Sequence, residues 1–360
     1  MGEFFFSYGL FLAKLLTFLV LAVIALVVVS SIGGRGRRSK GTLNVTHLNE
    51  EFDQSREMLQ AMVLDPADYK QSAKLKKKQM KQEAKEKKAA AKIAAKNRGD
   101  GTTIVDEKKR KRMFLIDFKG DIKPSQVENL RREVTAVLAV ADVYDEVAVK
   151  IESGGGTVHG YGLAAAQLQR IRDKNIELVV CVDKVAASGG YLMACVANKI
   201  MAAPFAIIGS IGVMAQIPNI HRLLKKHDID VELLTAGEYK RTLTVLGENT
   251  DKGRQKFLED IQVIHDQFKD TIARHRPQTD MSVVATGEVW SGEDAVKLKL
   301  IDEISTSDAF IVKSCEEADV YRVEYEEKKP LHEKFSAAAA MTADRVVDLL
   351  MQRFDKTRYL

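Results

Sequence analysis

The stretch Ile176-Glu177-Leu178-Val179-Val180-Cys181-Val182-Asp183-Lys184-Val185-Ala186-Ala187-Ser188-Gly189-Gly190-Tyr191 reads as a strand, a turn and the first residues of a helix. Residues 176–182 form a continuous apolar run, the kind of strand that is buried on both faces. Working outward, the same alternation repeats. Residues 113–118 and 146–151 have strand character. Between them, 126–141 has helical spacing, with Leu130, Val134, Val137 and Leu138 on one face. Ser153-Gly154-Gly155-Gly156 follows the second strand and leads into a helix over about 160–174. Beyond Ser188 a helical stretch continues to 197. Strands are predicted near Ile200, near Ile207 and over 231–234, with a helix over 220–226. A long amphipathic helix over 252–276 aligns Phe257, Ile261, Ile264 and Phe268. Strand-helix alternation at this spacing predicts an α/β fold with a parallel sheet and right-handed crossovers.

Ser188 lies where the strand ends and the helix begins. A hydroxyl there faces free backbone N–H groups that favour developing negative charge. Small neighbours on both sides let a substrate backbone come close, and strand-turn-helix geometry presents nucleophilic serines in other hydrolases. An ordinary helix N-cap explains the same serine equally well. The glycine run 154–156 could hold an anion, but it has neither GxGxxG nor Walker spacing. One N–H from this loop and one from the Ser188 helix would suffice for an oxyanion hole, if parallel strands set the two loops side by side. A nucleophilic serine needs a base. His159 with Asp183 would complete a triad, while Lys184 and Lys240 are alternatives if burial keeps a lysine neutral. Residue chemistry leaves all of these open.

The rest of the 360-residue chain is different in kind. Residues 10–29 are apolar apart from Lys14 and Thr17, and Phe4, Phe5, Phe6 and Tyr8 precede them. About twenty apolar residues cross a bilayer as a helix, and aromatic residues favour its interface. No Lys or Arg precedes Lys14 and no clear cleavage pattern follows, so an uncleaved anchor is expected rather than a signal peptide. Arg35, Arg37, Arg38 and Lys40 follow the segment, which favours a cytoplasmic main domain. The net charge of +5 hides an uneven distribution: residues 70–98 hold twelve Lys or Arg against Glu83 and Glu86, and 108–112 are basic throughout. The Ala, Lys, Gln and Glu of this spacer favour helix. A polybasic run beside an anchor suits anionic headgroups. Without interleaved aromatics it does not suit single-stranded nucleic acid. Cys181, Cys195 and Cys315 have neither disulfide nor metal-ligand spacing. The first two sit in apolar runs and read as buried thiols.

Taken together, Ser153-Gly154-Gly155-Gly156, Val185-Ala186-Ala187-Ser188-Gly189-Gly190-Tyr191, Gly209-Ser210-Ile211-Gly212-Val213 and Gly237-Glu238-Tyr239-Lys240 resemble, in order, the motifs of the signal peptide peptidase A family. Thr286-Gly287-Glu288-Val289-Trp290-Ser291-Gly292, with Ala295 and Leu300-Ile301-Asp302, resembles that family's C-terminal motif. The likeness covers about 113–304. With the anchor, basic spacer and single catalytic copy, it is similar to the SohB-like inner-membrane branch. The resemblance implies a Clp protease/crotonase-like core and a Ser-Lys dyad. Ser188 matches the nucleophile, Lys240 the general base and Ser210 the serine that orients the lysine. Gly155 or Gly156, with Gly189, would form the oxyanion hole. His159 and Lys184 then fall outside the chemistry. Two positions depart from the pattern: Gly154 stands where the family usually has proline, and Lys299 where it usually has glycine.

The expected organisation is an anchor over 1–33, a Lys-rich helical spacer over 34–110, a peptidase domain over 111–328 and a C-terminal amphipathic helix over 329–360. The expected function is a membrane-anchored serine endopeptidase of the bacterial inner membrane that cleaves unstructured or apolar peptides, such as signal-peptide or membrane-protein fragments. No metal or other cofactor is expected. Expected partners are peptide substrates, membrane lipids through residues 8–31 and the spacer, and further copies of the chain, with no specific nucleic acid. The rivals are a crotonase-like acyl-transfer enzyme, which needs no nucleophilic serine, and a non-catalytic membrane scaffold. Fold alone does not decide among them.

Overall fold

The computed structural model describes residues 41–65 and 110–327, with isolated positions between 6 and 85. The chain divides into two compact units, one of Asn44–Glu324 and one of Met1–Leu43 with Tyr325–Leu360. Most of the expected anchor, most of the basic spacer and the C-terminal stretch 329–360 lie outside the described residues. Among the described residues, no helix is long and apolar enough to cross a membrane.

The elements run β1 (Thr42–His47), α1 (Leu48–Val63), β2 (Arg112–Gly120), α2 (Val127–Leu138), β3 (Glu146–Ser153), α3 (Val158–Arg172), β4 (Glu177–Val182), β5 (Val185–Ala187), α4 (Gly189–Ala194), β6 (Lys199–Ala202) and β7 (Ile207–Gly209). They continue with α5 (His221–Lys226), α6 (Asp251–His275), α7 (Met281–Val284), β8 (Val289–Trp290), α8 (Gly292–Lys297), β9 (Glu303–Ile304), α9 (Ser307–Glu317) and β10 (Asp319–Glu326). The main sheet has the order β1-β10-β2-β3-β4-β6-β9. The pairs from β10 through β9 are parallel, so the predicted α/β class is the observed one.

Period-two alternation along the strands explains the layering. Phe114, Ile116 and Phe118 of β2 join Val147, Val149 and Ile151 of β3 and Leu178, Val180 and Val182 of β4 on one face, where α2, α3 and α4 cover them. Met113, Leu115 and Ala148 point the other way and pack with Leu48 at the start of α1 and Ile311 of α9. Both faces of the central strands are therefore covered, as the unbroken apolar run of β4 requires.

β3 is where the sheet forks. Its first residues, Glu146–Lys150, pair with β4, whereas Ser153 at its end pairs with Ala186 of β5. β5 then pairs in parallel with β7, and β7 pairs antiparallel with β8. This side branch carries the glycine loop, the Ser188 turn and the Ser210 turn to one end of adjacent strands. Two local expectations fail. Residues 231–234 form no strand and are exposed; their apolar composition suits a strand, but no sheet edge reaches them. Residues 42–47, read as part of a helical segment, form β1, whose side chains are nearly all exposed.

Candidate active site

Ser188 is where the two explanations of this serine separate. As the residue before α4 it could cap the helix, but its hydroxyl makes no capping hydrogen bond. The contrast lies within the same chain: Thr250, Asp280, Ser291 and Thr306 stand before helices in extended conformations, and each side chain accepts from a backbone N–H. Ser188 instead has φ 51° and ψ −119°, the geometry of the first central residue of a type II′ turn, a place usually held by glycine. A left-handed φ costs an L-residue roughly 1–2 kcal/mol. The turn is held on both sides of the serine, because Ser188 N–H donates to the Gly209 carbonyl at 2.7 Å and the Ser188 carbonyl accepts from Leu192 N–H at 3.0 Å. Tyr191, fully buried in α4, donates its hydroxyl to the Leu300 carbonyl at 2.8 Å and fixes the helix from below. Among the described residues, nothing hydrogen-bonds the Ser188 hydroxyl. Ser188 is therefore a strained, half-buried serine whose hydroxyl does not cap its helix.

The glycine loop lies against this turn. Gly155 has φ 88°, and a Cβ placed there would come within 2.7 Å of both the Ser188 Cβ and the Gly189 nitrogen. No other residue type could bring the loop so close. Gly189 is equally constrained, since its Cβ would fall 2.4 Å from the Tyr161 ring. The Gly155 N–H turns inward and donates to Ser153 Oγ at 3.0 Å. The N–H groups of Gly156 and Gly189 have no partner among the described residues. Gly154, the departure from the family pattern, has open space where a Cβ would stand.

Ser210 follows Gly209, whose carbonyl holds the Ser188 N–H. It is also left-handed, with φ 51°, and its N–H donates to the Glu288 carbonyl at 2.6 Å. Gly209 lies against the ring of Trp290, where a Cβ would approach to 2.6 Å. The C-terminal motif thus braces the Ser210 turn.

The candidate bases fare differently. His159 is exposed at the start of α3 and has no partner among the described residues. Asp183 is taken: it binds Lys150 Nζ at 2.7 Å and accepts from Ser307 Oγ at 2.6 Å and Ser307 N–H at 2.8 Å. Burial disfavours its charge, but the hydrogen bonds from Lys150 and Ser307 outweigh that and hold the carboxyl below its usual range. The pair therefore builds no triad. Lys184 is exposed and paired with Glu152 at 2.9 Å. Lys240 sits in an exposed turn closed by its N–H on the Gly237 carbonyl at 3.2 Å. Its neighbours fasten to α6: Glu238 pairs with Lys252 at 2.5 Å, and Tyr239 lies 6.0 Å from Lys252 and 5.7 Å from Lys256. The Lys240 side chain makes no hydrogen bond or ion pair among the described residues. Ser188, Gly155, Gly156 and Gly189 are thus brought together, with Ser210 one residue beyond the strand end that holds Ser188, and Lys240 stands on the exposed loop. Residue chemistry alone gave no reason to single out Tyr161 or Trp290; their contacts join positions far apart in the chain. Cys181 and Cys195 are buried with thiols pushed up to about 12 by desolvation, as their apolar runs suggested.

A parallel α/β sheet thus sets a strained serine beside a glycine loop. Residues 3–168 match the description Peptidase family S49 N-terminal, and residues 170–321 match Peptidase family S49. The chain is 48% identical over 341 residues to the Haemophilus influenzae protein named Probable protease SohB, covering 95% of this chain and 94% of that one. It is 44% identical over 332 residues to a Buchnera aphidicola protein of the same name, covering 92% and 93%. A solved membrane-bound stomatin-specific protease aligns over 57% of this chain and 84% of that one, with 16% identity and a TM-score of 0.36. The chain belongs to peptidase family S49, in the SohB-like group, and is a peptidase.

Proposed function

We propose that this peptidase is a membrane-anchored serine endopeptidase of the bacterial inner membrane, with Ser188 as nucleophile and Lys240 as general base. The observation that carries the reading is the Ser188 turn: a strained, left-handed serine whose hydroxyl does not cap its helix and which sits against Gly155. Neutral Lys240 takes the Ser188 proton as Oγ attacks the peptide carbonyl. The developing oxyanion is held by the N–H of Gly189 and by the glycine loop. Lys240 returns the proton to the leaving amine, and water then cleaves the acyl-enzyme. Ser210 orients the lysine. A lysine base acts only when neutral, which burial favours, so the exposed Lys240 loop closes over Ser188 when the site is filled. Exposed apolar side chains along this region, including Met214, Leu223, Leu233, Leu234 and Tyr239, support a homo-oligomer in which they are covered.

The substrates are unstructured or apolar peptides such as signal-peptide or membrane-protein fragments, a reading supported by the sequence's anchor segment and by the resemblance to the signal peptide peptidase A family. The test is cleavage of an unfolded polypeptide by the parent and by Ser188→Ala. The variant is expected to lose at least about a thousandfold in kcat. Equal rates would remove Ser188 from the chemistry.

A further inference from the structure

We propose that Tyr161 is a positioning residue of the oxyanion site, locking the glycine loop to the Ser188 turn; this rests on the serine-peptidase reading of Ser188. Tyr161 lies in the first turn of α3 and is fully buried. It touches both halves of the site. Its ring fills the space that a side chain at Gly189 would need, with Cγ 2.4 Å from that ideal Cβ. Its hydroxyl donates to the Asp121 carbonyl at 2.8 Å and lies 2.5 Å from Ser153 Oγ. Because the tyrosine proton is committed to Asp121, Ser153 must donate to the tyrosine oxygen. A lone pair on Ser153 Oγ then accepts from Gly155 N–H at 3.0 Å. Each hydroxyl gives one hydrogen bond and takes one, in a single direction from Gly155 through Ser153 and Tyr161 to Asp121. Burial raises the phenol above its ordinary range, so it keeps the proton this chain needs.

The glycines around the chain are shaped to it. A Cβ at Gly120 would lie 2.3 Å from the Tyr161 oxygen and 2.5 Å from Ser153 Oγ, and a Cβ at Gly190 would lie 2.6 Å from the Ser153 carbonyl oxygen. The consequence is directional. With the Gly155 N–H committed to Ser153 Oγ, it cannot also face a substrate, so the loop's contribution to the oxyanion hole falls to the Gly156 N–H. Without the Tyr161 hydroxyl, Ser153 loses its acceptor, and its oxygen, the partner of the Gly155 N–H, is no longer held in one orientation. Donors aimed at an oxyanion stabilise it only in the right place, and small misplacements cost large factors in rate.

The experiment uses the full-length chain in detergent, with Tyr161→Phe, Ser153→Ala and the double variant. Tyr161→Phe keeps the ring against Gly189 and removes only the oxygen. Readouts are kcat and KM on fluorescently labelled unfolded casein, the rate of Ser188 phosphonylation by a fluorophosphonate, and the thermal midpoint, with activities taken well below each variant's own midpoint. The expected result is a fall in kcat and in phosphonylation rate of about tenfold or more in each single variant, with KM within about twofold. The double variant should be no worse than the poorer single one, since both cut the same chain. A parent that phosphonylates normally alongside a Tyr161→Phe variant that does so at the parental rate would overturn the positioning role. So would a change confined to KM, or losses that multiply in the double variant. A parent inert to the fluorophosphonate would overturn the serine reading itself, and the positioning role with it.

Discussion

At the scale of single residues, the site is organised by backbone strain and by absent side chains. Ser188, Ser210 and Gly155 all have φ between 51° and 88°, and two of the three are not glycine. The chain tolerates this because each strained serine is bonded through its N–H to a neighbouring strand or loop carbonyl, at 2.7 Å and 2.6 Å. Gly155 has no such freedom to change. Gly155→Ala would add a left-handed penalty of roughly 1–2 kcal/mol and a methyl 2.7 Å from the Ser188 Cβ. The loop would have to retreat from Ser188. Activity is therefore expected to fall about a hundredfold, well beyond the loss of thermal stability. Parallel measurement of kcat/KM and the unfolding midpoint checks this; a stable variant with parental kcat/KM would contradict it.

At the scale of elements, the Ser188 strand-turn-helix was legible because a run of apolar residues and two glycines bracket it, and α2, α3 and α6 were legible from their spacing. The fork in β3 was not, because it depends on which strand Ser153 pairs with, and periodicity carries no partner information. β1 was missed because its alternation, Leu43 and Val45 between Thr42, Asn44 and Thr46, is too short to stand out from the polar helical segment that follows it. The segment 231–234 failed in the opposite sense, with strand composition but no partner. The departure at Lys299 has a clear structural counterpart. Lys299 follows the end of α8 with φ 60°. Lys299 N–H donates to the Val296 carbonyl at 3.1 Å, and Leu300 N–H to the Ala295 carbonyl at 2.9 Å. These two bonds are the Schellman pattern, whose left-handed residue is usually glycine. Lys299→Gly is expected to stabilise the protein by about 0.5–1 kcal/mol, the left-handed strain relieved less the added chain entropy of glycine. That would raise the melting midpoint by roughly 1–4 °C; a lower midpoint would mean the lysine side chain matters there. The Lys299 carbonyl should still accept from Thr279 Oγ, at 2.8 Å in the parent.

At the scale of the whole molecule, two carboxylates tie distant elements together. Asp145 is nearly fully buried before β3 and binds Arg112 of β2 through both oxygens. Asp183 joins β4 to Lys150 of β3 and to the first residue of α9. In both, burial opposes the charge, and the hydrogen bonds, chiefly from Arg112 and from Lys150 and Ser307, more than offset it, so both folded pKa values are lowered. A lowered folded pKa means that the stability is fully present above the ordinary carboxylate value of about 4 and is lost as pH falls through the folded value. The melting midpoint is expected to hold from neutral pH to about 5 and to drop below about 4. An unchanged midpoint down to pH 2 would show that these pairs contribute nothing. The proposed anchor belongs to the same scale. The full chain should sediment with membranes and a chain lacking residues 1–33 should not; equal partitioning would remove residues 1–33 as the anchor.

The proposed chemistry requires Ser188 to be a nucleophile served by Lys240. The most direct measurement is covalent labelling with a fluorophosphonate, the modified peptide identified by mass spectrometry in the parent, in Ser188→Ala and in Lys240→Ala. The expected result is a single adduct on Ser188 in the parent, none in Ser188→Ala, and labelling slowed by about a hundredfold or more in Lys240→Ala. An adduct on a different residue, or labelling of Lys240→Ala at the parental rate, would contradict the Ser-Lys assignment.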